Sequence, residues 1–244
     1  MISFVMLTWN RKLFVEKMFS SFYENKSADC EYEFLIIDNG SNDGTVDYLS
    51  NTAKLDKNIK VRYNKKNKGL NEYKKLFNLS KGDYILIIDD DVIEFPKNFD
   101  KTMVEYMDKF EDFGFVCLDV VQNEYTDGAK PDSSHYEDIT RNGLTISKGP
   151  TGGWCTIFRK KDYRKIKWHF VLGKKLKFGY AEDGKLQRKF DRILHLKSGV
   201  IKDVKCFHAC GPYYSQKYGF LDRDIEKYKM SGLDRMINKY QEYK

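Results

Sequence analysis

An α/β fold with a mixed, mainly parallel sheet flanked by helices is what this sequence predicts, on three observations. Short apolar runs of β type alternate with amphipathic stretches of helical period through the first half of the chain. Two of the runs, Phe34-Leu35-Ile36-Ile37 and Ile85-Leu86-Ile87-Ile88, are apolar without interruption, as strands covered on both faces are. Three polar clusters follow directly on such strands. The 244 residues suit one generous domain, and a 41% apolar content can furnish its core, which argues against disorder.

Taken in order, residues 2–7, 33–38, 59–63 and 84–88 read as strands, with helical patterns near 11–24, 44–54 and 70–79 between them. A βαβ series has right-handed crossovers and carries its functional loops at the carboxyl ends of the strands. Those ends are Thr8-Trp9-Asn10, Asp38-Asn39-Gly40-Ser41 and Asp89-Asp90-Asp91. A helix near 98–111 and a strand near 114–121 come next. Residues 122–142 are polar, contain Gly128 and Pro131, and predict a long loop of the kind that serves as a lid. Beyond it lie a strand over 143–147, a Gly149-Pro150-Thr151-Gly152-Gly153 turn, an apolar run from Trp154 to Phe158, a helix around 180–190 and a strand near 199–206. Ile225, Leu233, Met236, Ile237 and Tyr240 recur at roughly helical spacing and predict a C-terminal helical tail, with Gly232 its weak point. The chain thus divides into a single domain over 1–212, with halves over 1–95 and 96–212, and a helical tail over 213–244.

The bulk composition narrows the class. The longest apolar runs are strand-length, short of the ~20 residues that cross a bilayer. The N-terminus starts with a strand-like Ile2 to Leu7 and lacks the basic flank and cleavage site of a secretory signal, so a cytoplasmic protein is expected, with peripheral contact at the inner membrane face compatible with its charge. Five cysteines (Cys30, Cys117, Cys155, Cys206, Cys210) at irregular spacing are expected to stay reduced. The net charge of +7 is uneven: residues 159–177 carry nine Lys or Arg against one Asp. That stretch is either a solvated surface or a seat for an anionic partner.

The sharpest chemical feature is Asp89-Asp90-Asp91, three carboxylates placed straight after a buried strand. Their electrostatic cost must be offset by something cationic, and clustered carboxylate oxygens are hard ligands for Mg²⁺ or Mn²⁺, which commonly bridge to substrate phosphates. An acidic turn or a helix cap would need one Asp rather than three.

Three motifs occur in series: Ile36-Ile37-Asp38-Asn39-Gly40-Ser41-Asn42-Asp43-Gly44-Thr45, then Asn67-Lys68-Gly69, then Gly82-Asp83 through Asp89-Asp90-Asp91. In this order, across about residues 2–210, they resemble the inverting family 2 glycosyltransferases. The resemblance implies the GT-A fold, a Rossmann-like nucleotide-diphospho-sugar transferase architecture in which 1–212 is one catalytic domain with a nucleotide-binding half over 1–95 and an acceptor and catalytic half over 96–212, and a nucleotide-sugar donor, with UDP-sugar favoured. It places Thr8, Trp9, Asn10, Asp38, Asn67, Lys68, Asp89 and Asp90 around the nucleotide, with Asp38 at the base. Lys68 is set in a Lys-rich run that a solvated face would explain equally well. The resemblance also makes Asp91, with Asp89, the metal-binding element for Mn²⁺ or Mg²⁺.

In the second half, Glu182-Asp183 opens a helix and matches the family's Glu-Asp element, which makes Asp183 the base that deprotonates the acceptor hydroxyl, with Glu182 second. Carboxylates there would suit the helix dipole in any case. Gly152-Gly153-Trp154 resembles the glycine-rich segment beside the donor sugar; Trp154 is then either acceptor wall or core. Period-2 geometry puts Cys206, His208 and Cys210 on one face. His208 is a further metal ligand by family position, a buried structural histidine, or part of a Cys-His-Cys zinc site, although that spacing fits no common zinc pattern. The Gln-x-x-Arg-Trp segment and membrane helices of processive members are absent, which favours transfer of one sugar to a hydroxyl acceptor in glycan or glycoconjugate synthesis.

Two rivals remain. A nucleotidyltransferase would also want Asp-bound Mg²⁺, but its glycine-rich first loop is missing from Thr8-Trp9-Asn10-Arg11-Lys12. A nucleic-acid or anionic-polymer binder built on 159–177, with Trp168, His169 and Phe170 for stacking, leaves the three aspartates unexplained. The same basic stretch could hold an anionic acceptor of the transferase: a lipid-linked glycan, an acidic polysaccharide or a nucleic acid.

Overall fold

The computed structural model describes residues 1–126, 130–176 and 181–244. Four parallel strands form the first half of the sheet: β1 (Ile2–Thr8), β2 (Tyr32–Asp38), β3 (Ile59–Tyr63) and β4 (Tyr84–Ile88). Their alternation sorts side chains onto two faces. Phe4, Met6, Phe34, Ile36, Leu86 and Ile88 point to one core. It is covered by α1 (Lys12–Asn25), α2 (Thr45–Leu55) and α4 (Phe99–Lys109), where Val15, Phe19, Leu49 and Met103 meet them. Val5, Leu35, Ile37, Ile85 and Ile87 point to the other core, under α3 (Tyr73–Leu79), α5 (Lys160–Val171) and α6 (Glu182–Leu194). Burial on both faces accounts for the unbroken apolar runs.

The remaining strands are β5 (Val92–Glu94), β6 (Phe113–Val120), β7 (Glu137–Arg141), β8 (Leu144–Lys148), β9 (Cys155–Arg159) and β10 (Lys197–His208). The spatial order is β3-β2-β1-β4-β9-β6-β10-β8-β7, with β5 pairing β10. The parallel pairs are β3-β2-β1-β4 and β6-β10; β9 runs antiparallel to both β4 and β6, so the sheet is mixed. Thr8 lies level with Asp38 in the β1–β2 register, which brings their loops to one edge beside the end of β4.

Three elements differ from the sequence reading or go beyond it. Residues 137–141, expected to be loop, form β7, an edge strand on β8. Only Ile139 packs against the core from it, so the alternation is too weak to read. The basic stretch contains α5, whose buried face of Tyr163, Ile166 and Phe170 was masked by its charge. Short β5 follows the aspartates and pairs antiparallel with the end of β10, His208 opposite Val92. The tail is helical as expected, in three pieces: α7 (Pro212–Lys217), α8 (Leu221–Ser231) and α9 (Asp234–Gln241). Gly232 is the α8 C-cap, at φ 65°, where a side chain would strain the backbone. Among the described residues no helix is long and apolar enough to cross a membrane, and all five cysteines are free thiols.

Arg159, 5% exposed, ties β9 to the end of α4. Its guanidinium donates to the carbonyls of Phe113 (2.8 Å), Phe110 (3.2 Å) and Met107. Arg159→Met takes this donor from the Phe113 and Met107 carbonyls, while the Phe110 carbonyl keeps the Phe113 N–H at 3.0 Å. It is expected to lower unfolding free energy by about 2–4 kcal/mol in urea titrations, at ~1–3 kcal/mol per buried unsatisfied group. Stability within 0.5 kcal/mol of wild type would show that the carbonyls find other donors.

Candidate active site

The loop after β1 supplies a cation to the acidic cluster. Arg11, 7% exposed, donates from Nη1 to Asp90 Oδ1 (2.9 Å) and Asp91 Oδ2 (2.5 Å), and from Nη2 to Asp224 Oδ1 of α8 (2.9 Å). Burial opposes the charge on this guanidinium, but the three carboxylates outweigh it and hold its pKa well above the ordinary value. Thr8 Oγ1 donates to Asp90 Oδ2 at 2.8 Å, so both Asp90 oxygens are held by protein donors. Asp224 also accepts from Ser215 Oγ (2.5 Å) and Arg223 Nη1. Despite burial, Arg11 and Arg223 keep its carboxyl well below the usual range. Arg223 further donates from Nε to the Trp9 carbonyl (2.9 Å) and lies 5.0 Å from the Trp9 ring centre, covering one face of that indole.

Asp89, Asp91 and His208 can each turn one ligand atom to a common point, with those atoms all within 4.8 Å of one another. β5 causes the convergence: its pairing with β10, together with the Ala209 N–H donating to the Asp91 carbonyl at 2.9 Å, draws the end of β10 against the aspartates. His208 Nε2 lies 2.9 Å from Asp91 Oδ1. Burial would neutralise this imidazole, yet Asp91 holds its pKa well above the ordinary value. Burial likewise works against Asp91, but Arg11 and His208 keep it ionised. Asp89 is less well compensated: burial and the Asp91 charge push it up to about 7 against the pull of His208, and its neighbour Tyr73 Oη lies 3.4 Å from Oδ1. A divalent ion fits this donor set of two carboxylates and one imidazole, provided that it takes the place of the His208 proton, and would add the positive charge that Asp89 is short of.

Asp38 closes β2, with Oδ1 accepting the N–H groups of Gly40 (3.0 Å) and Ser41 (2.9 Å). Its Oδ2 is buried and lacks a hydrogen-bond partner among the described residues. Gly40, at φ 83°, is required here, since a Cβ would come within 2.9 Å of the Lys66 backbone. Asn10 stitches the first two loops together: its N–H donates to Ser41 Oγ and its side-chain carbonyl accepts from the Asn42 N–H, both at 2.8 Å. The Asn39 side chain holds residues 64–69 by accepting from Asn64 Nδ2 (2.9 Å) and the Lys68 N–H (3.3 Å). Asn67 and exposed Lys68 therefore stand at the rim beside Asp38, where the Lys68 ammonium donates to Asn64 Oδ1 (3.1 Å).

The other wall comes from the second half. Glu182 and Asp183 form the first turn of α6; Gly179 and Tyr180 of the same motif lie outside the described residues. Burial raises both carboxyls, Glu182 well above the ordinary value with help from Asp183 and Asp89, while backbone N–H groups of Gly184 and Gly153 temper Asp183. Glu182 Oε2 is buried without a partner among the described residues. The glycine-rich turn faces this pair: a Cβ on Gly153 would lie 3.4 Å from Glu182 Oε1, and one on Gly152 only 2.1 Å from the Trp154 ring. Trp154 is 6% exposed, donates from Nε1 to the Leu118 carbonyl (2.9 Å) and has its ring centre 6.2 Å from that of His208. It is a packed floor beneath the cluster.

The structure therefore brings the expected metal and acid residues to one edge. It adds Arg11, Tyr73 and the tail residues Arg223, Asp224 and Lys227, which sequence reasoning missed. Arg11 was the legible one, since three buried carboxylates demand a cation and it stands next to Asn10. Lys227, whose pKa burial and Arg11 push down to about 8, carries charge felt by both Asp91 and Glu182.

Comparison with known proteins bears on this edge. A family model described as glycosyl transferase family 2 matches residues 3–167, a span that includes the aspartates but ends before Glu182 and His208. A glycosyltransferase of Haemophilus influenzae is 27% identical over 208 residues, 79% of this chain and 61% of its own. The chain spans 36% and 61% of the lengths of the curated relatives it matches. Two solved structures share the fold: S. aureus TarS 1–349 in complex with UDP-GlcNAc (TM-score 0.64, 13% identity, 99% of this chain and 72% of that one), and the Pyrobaculum calidifontis mannosyltransferase PcManGT in complex with GDP-Man and Mn²⁺ (TM-score 0.63, 12% identity, 99% and 73%).

Removing the guanidinium leaves three buried carboxylates uncompensated. Arg11→Met is expected to cost about 3–5 kcal/mol in urea unfolding, the range for breaking a buried ion pair from one side. A cost under 1 kcal/mol would mean that Asp90, Asp91 and Asp224 are neutralised by other means.

Proposed function

Because the chain belongs to glycosyl transferase family 2, we propose that it moves one sugar from a nucleotide diphosphate-sugar to an acceptor hydroxyl by an inverting, metal-assisted displacement. The observation that carries this reading is the convergence of Asp89, Asp91 and His208 opposite the Glu182–Asp183 pair. The complexes of TarS with UDP-GlcNAc and of PcManGT with GDP-Man and Mn²⁺ support a nucleotide-sugar donor and a divalent ion.

Asp38 Oδ2 offers a buried acceptor for a ring N–H of the base, such as the imino N–H of a uracil, and a UDP-sugar is the donor favoured by the family resemblance. Asp89, Asp91 and His208 would hold Mn²⁺ or Mg²⁺, which would neutralise the charge on the departing diphosphate. Asp183 takes the proton of the acceptor hydroxyl as its oxygen bonds to the anomeric carbon and the bond to the diphosphate oxygen breaks. Burial suits Asp183 to this task by raising its basicity. Glu182 sits beside it, its carboxyl raised well above the ordinary value by burial and by the charges of Asp183 and Asp89. Lys227 and Arg223 bring positive charge from α8 toward the leaving group.

Asp183→Asn is expected to keep nucleotide-sugar binding within about twofold while transfer falls by roughly 10²–10⁴, the usual range for a lost general base. Transfer near the wild-type rate would overturn the assignment. The acid limb of the wild-type pH–rate profile should lie above the ordinary Asp value of about 3.9, because the base must be ionised and its pKa is raised. A limb at or below that value would contradict the burial argument.

A further inference from the structure

We propose that the exposed face of α5 is a docking surface for a membrane bearing anionic lipid headgroups. One side of the helix is built into the second core through Tyr163, Ile166 and Phe170. Lys161, Arg164, Lys165 and Trp168 lie on the opposite side, and Leu172, just past the helix end, continues the stripe at i+4 from Trp168. Trp168 is 65% exposed and Leu172 78% exposed, the largest such values but one for a large apolar side chain among the described residues. Lys174 and Lys175 follow, also exposed.

The charges on this face are mostly unspent. Lys165 meets Asp162 at 3.1 Å and Lys167 stands 5.5 Å from the centre of the Trp168 ring. Lys161, Arg164, Lys174 and Lys175 form no ion pair among the described residues. A soluble polyanion would satisfy the cations but would leave Leu172 in water, and a single exposed indole is no stacking series for bases. A lipid interface answers both: lysine and arginine reach the phosphates, the indole settles at headgroup level and the leucine enters the acyl boundary.

The surface is also well placed. Beyond Leu172 the chain is pinned to the nucleotide half by Asn71, whose side chain brackets the Leu176 backbone at 3.0 Å on both N–H and carbonyl. It then leads to Glu182 and Asp183. A docked α5 would hold the acid pair near lipid-borne hydroxyls; this use rests on the transferase reading, whereas the docking itself does not.

Flotation of the full chain with vesicles of phosphatidylcholine alone, or with added phosphatidylglycerol, tests the proposal. Binding is expected only to the anionic vesicles, weaker at higher salt, with a blue shift of tryptophan emission, since Trp9 and Trp154 are already buried. Lys161→Glu with Arg164→Glu should weaken binding more than tenfold, at about fivefold per lost charge. Trp168→Ala with Leu172→Ala should abolish the emission shift and most binding, while the melting temperature and transfer to a soluble acceptor stay unchanged. No binding to anionic vesicles, or binding indifferent to both pairs, overturns the proposal. Equal binding to heparin that survives Trp168→Ala with Leu172→Ala also overturns it and reassigns the surface to a polyanion.

Discussion

A single buried guanidinium holds this site together. Arg11 stands between Asp90 and Asp91 after β4 and Asp224 on α8, joining the first loop, the acidic turn and the C-terminal helices. Without it, consecutive carboxylates at the end of a buried strand would repel one another and take up protons, because desolvation and like charge both disfavour ionisation. Its reach is uneven. Asp90 and Asp91 are compensated directly, whereas Asp89, buried beside the Asp91 charge, is offset by His208 too weakly to stay in the ordinary range. That imbalance leaves the acidic turn short of positive charge at Asp89.

The first half of the fold was legible because its strands are covered on both faces and its helices are amphipathic, so burial is written into the order of residues. The carboxylates were legible too, since three aspartates after an apolar run have few structural explanations. β7 was hidden because an edge strand with one inward residue, Ile139, carries almost no alternation. β5 was hidden by its length. Asp224, Arg223 and Lys227 could not be read from the chain, because they reach the site from some two hundred residues beyond Arg11 and nothing local marks them. His208 was open among three roles; the pairing of β5 with β10 brings it to Asp91.

The two walls of the site come from different parts of the chain. The wall built from the loops after β1 and β2 lies inside the segment matched by the family model, and its loops are stitched by backbone donors and by Asn10, Asn39 and Ser41. The acid wall, with Glu182, Asp183 and His208, lies beyond that match. Its residues are related to the rest by geometry: the glycine turn before β9 leaves room for α6 to approach, and Trp154 supports His208 from below. Arg223, Asp224 and Lys227 of α8 bring charged groups from the helical tail to this edge.

The central claim is that these walls enclose a nucleotide diphosphate together with a divalent ion. A thermal-shift panel of UDP, GDP, CDP and dTDP, each with and without Mn²⁺, tests it most directly, because a ligand that binds the native state raises apparent stability. The account predicts a marked shift for UDP that requires Mn²⁺. No shift with any nucleotide, or a UDP shift of the same size without Mn²⁺, would contradict it.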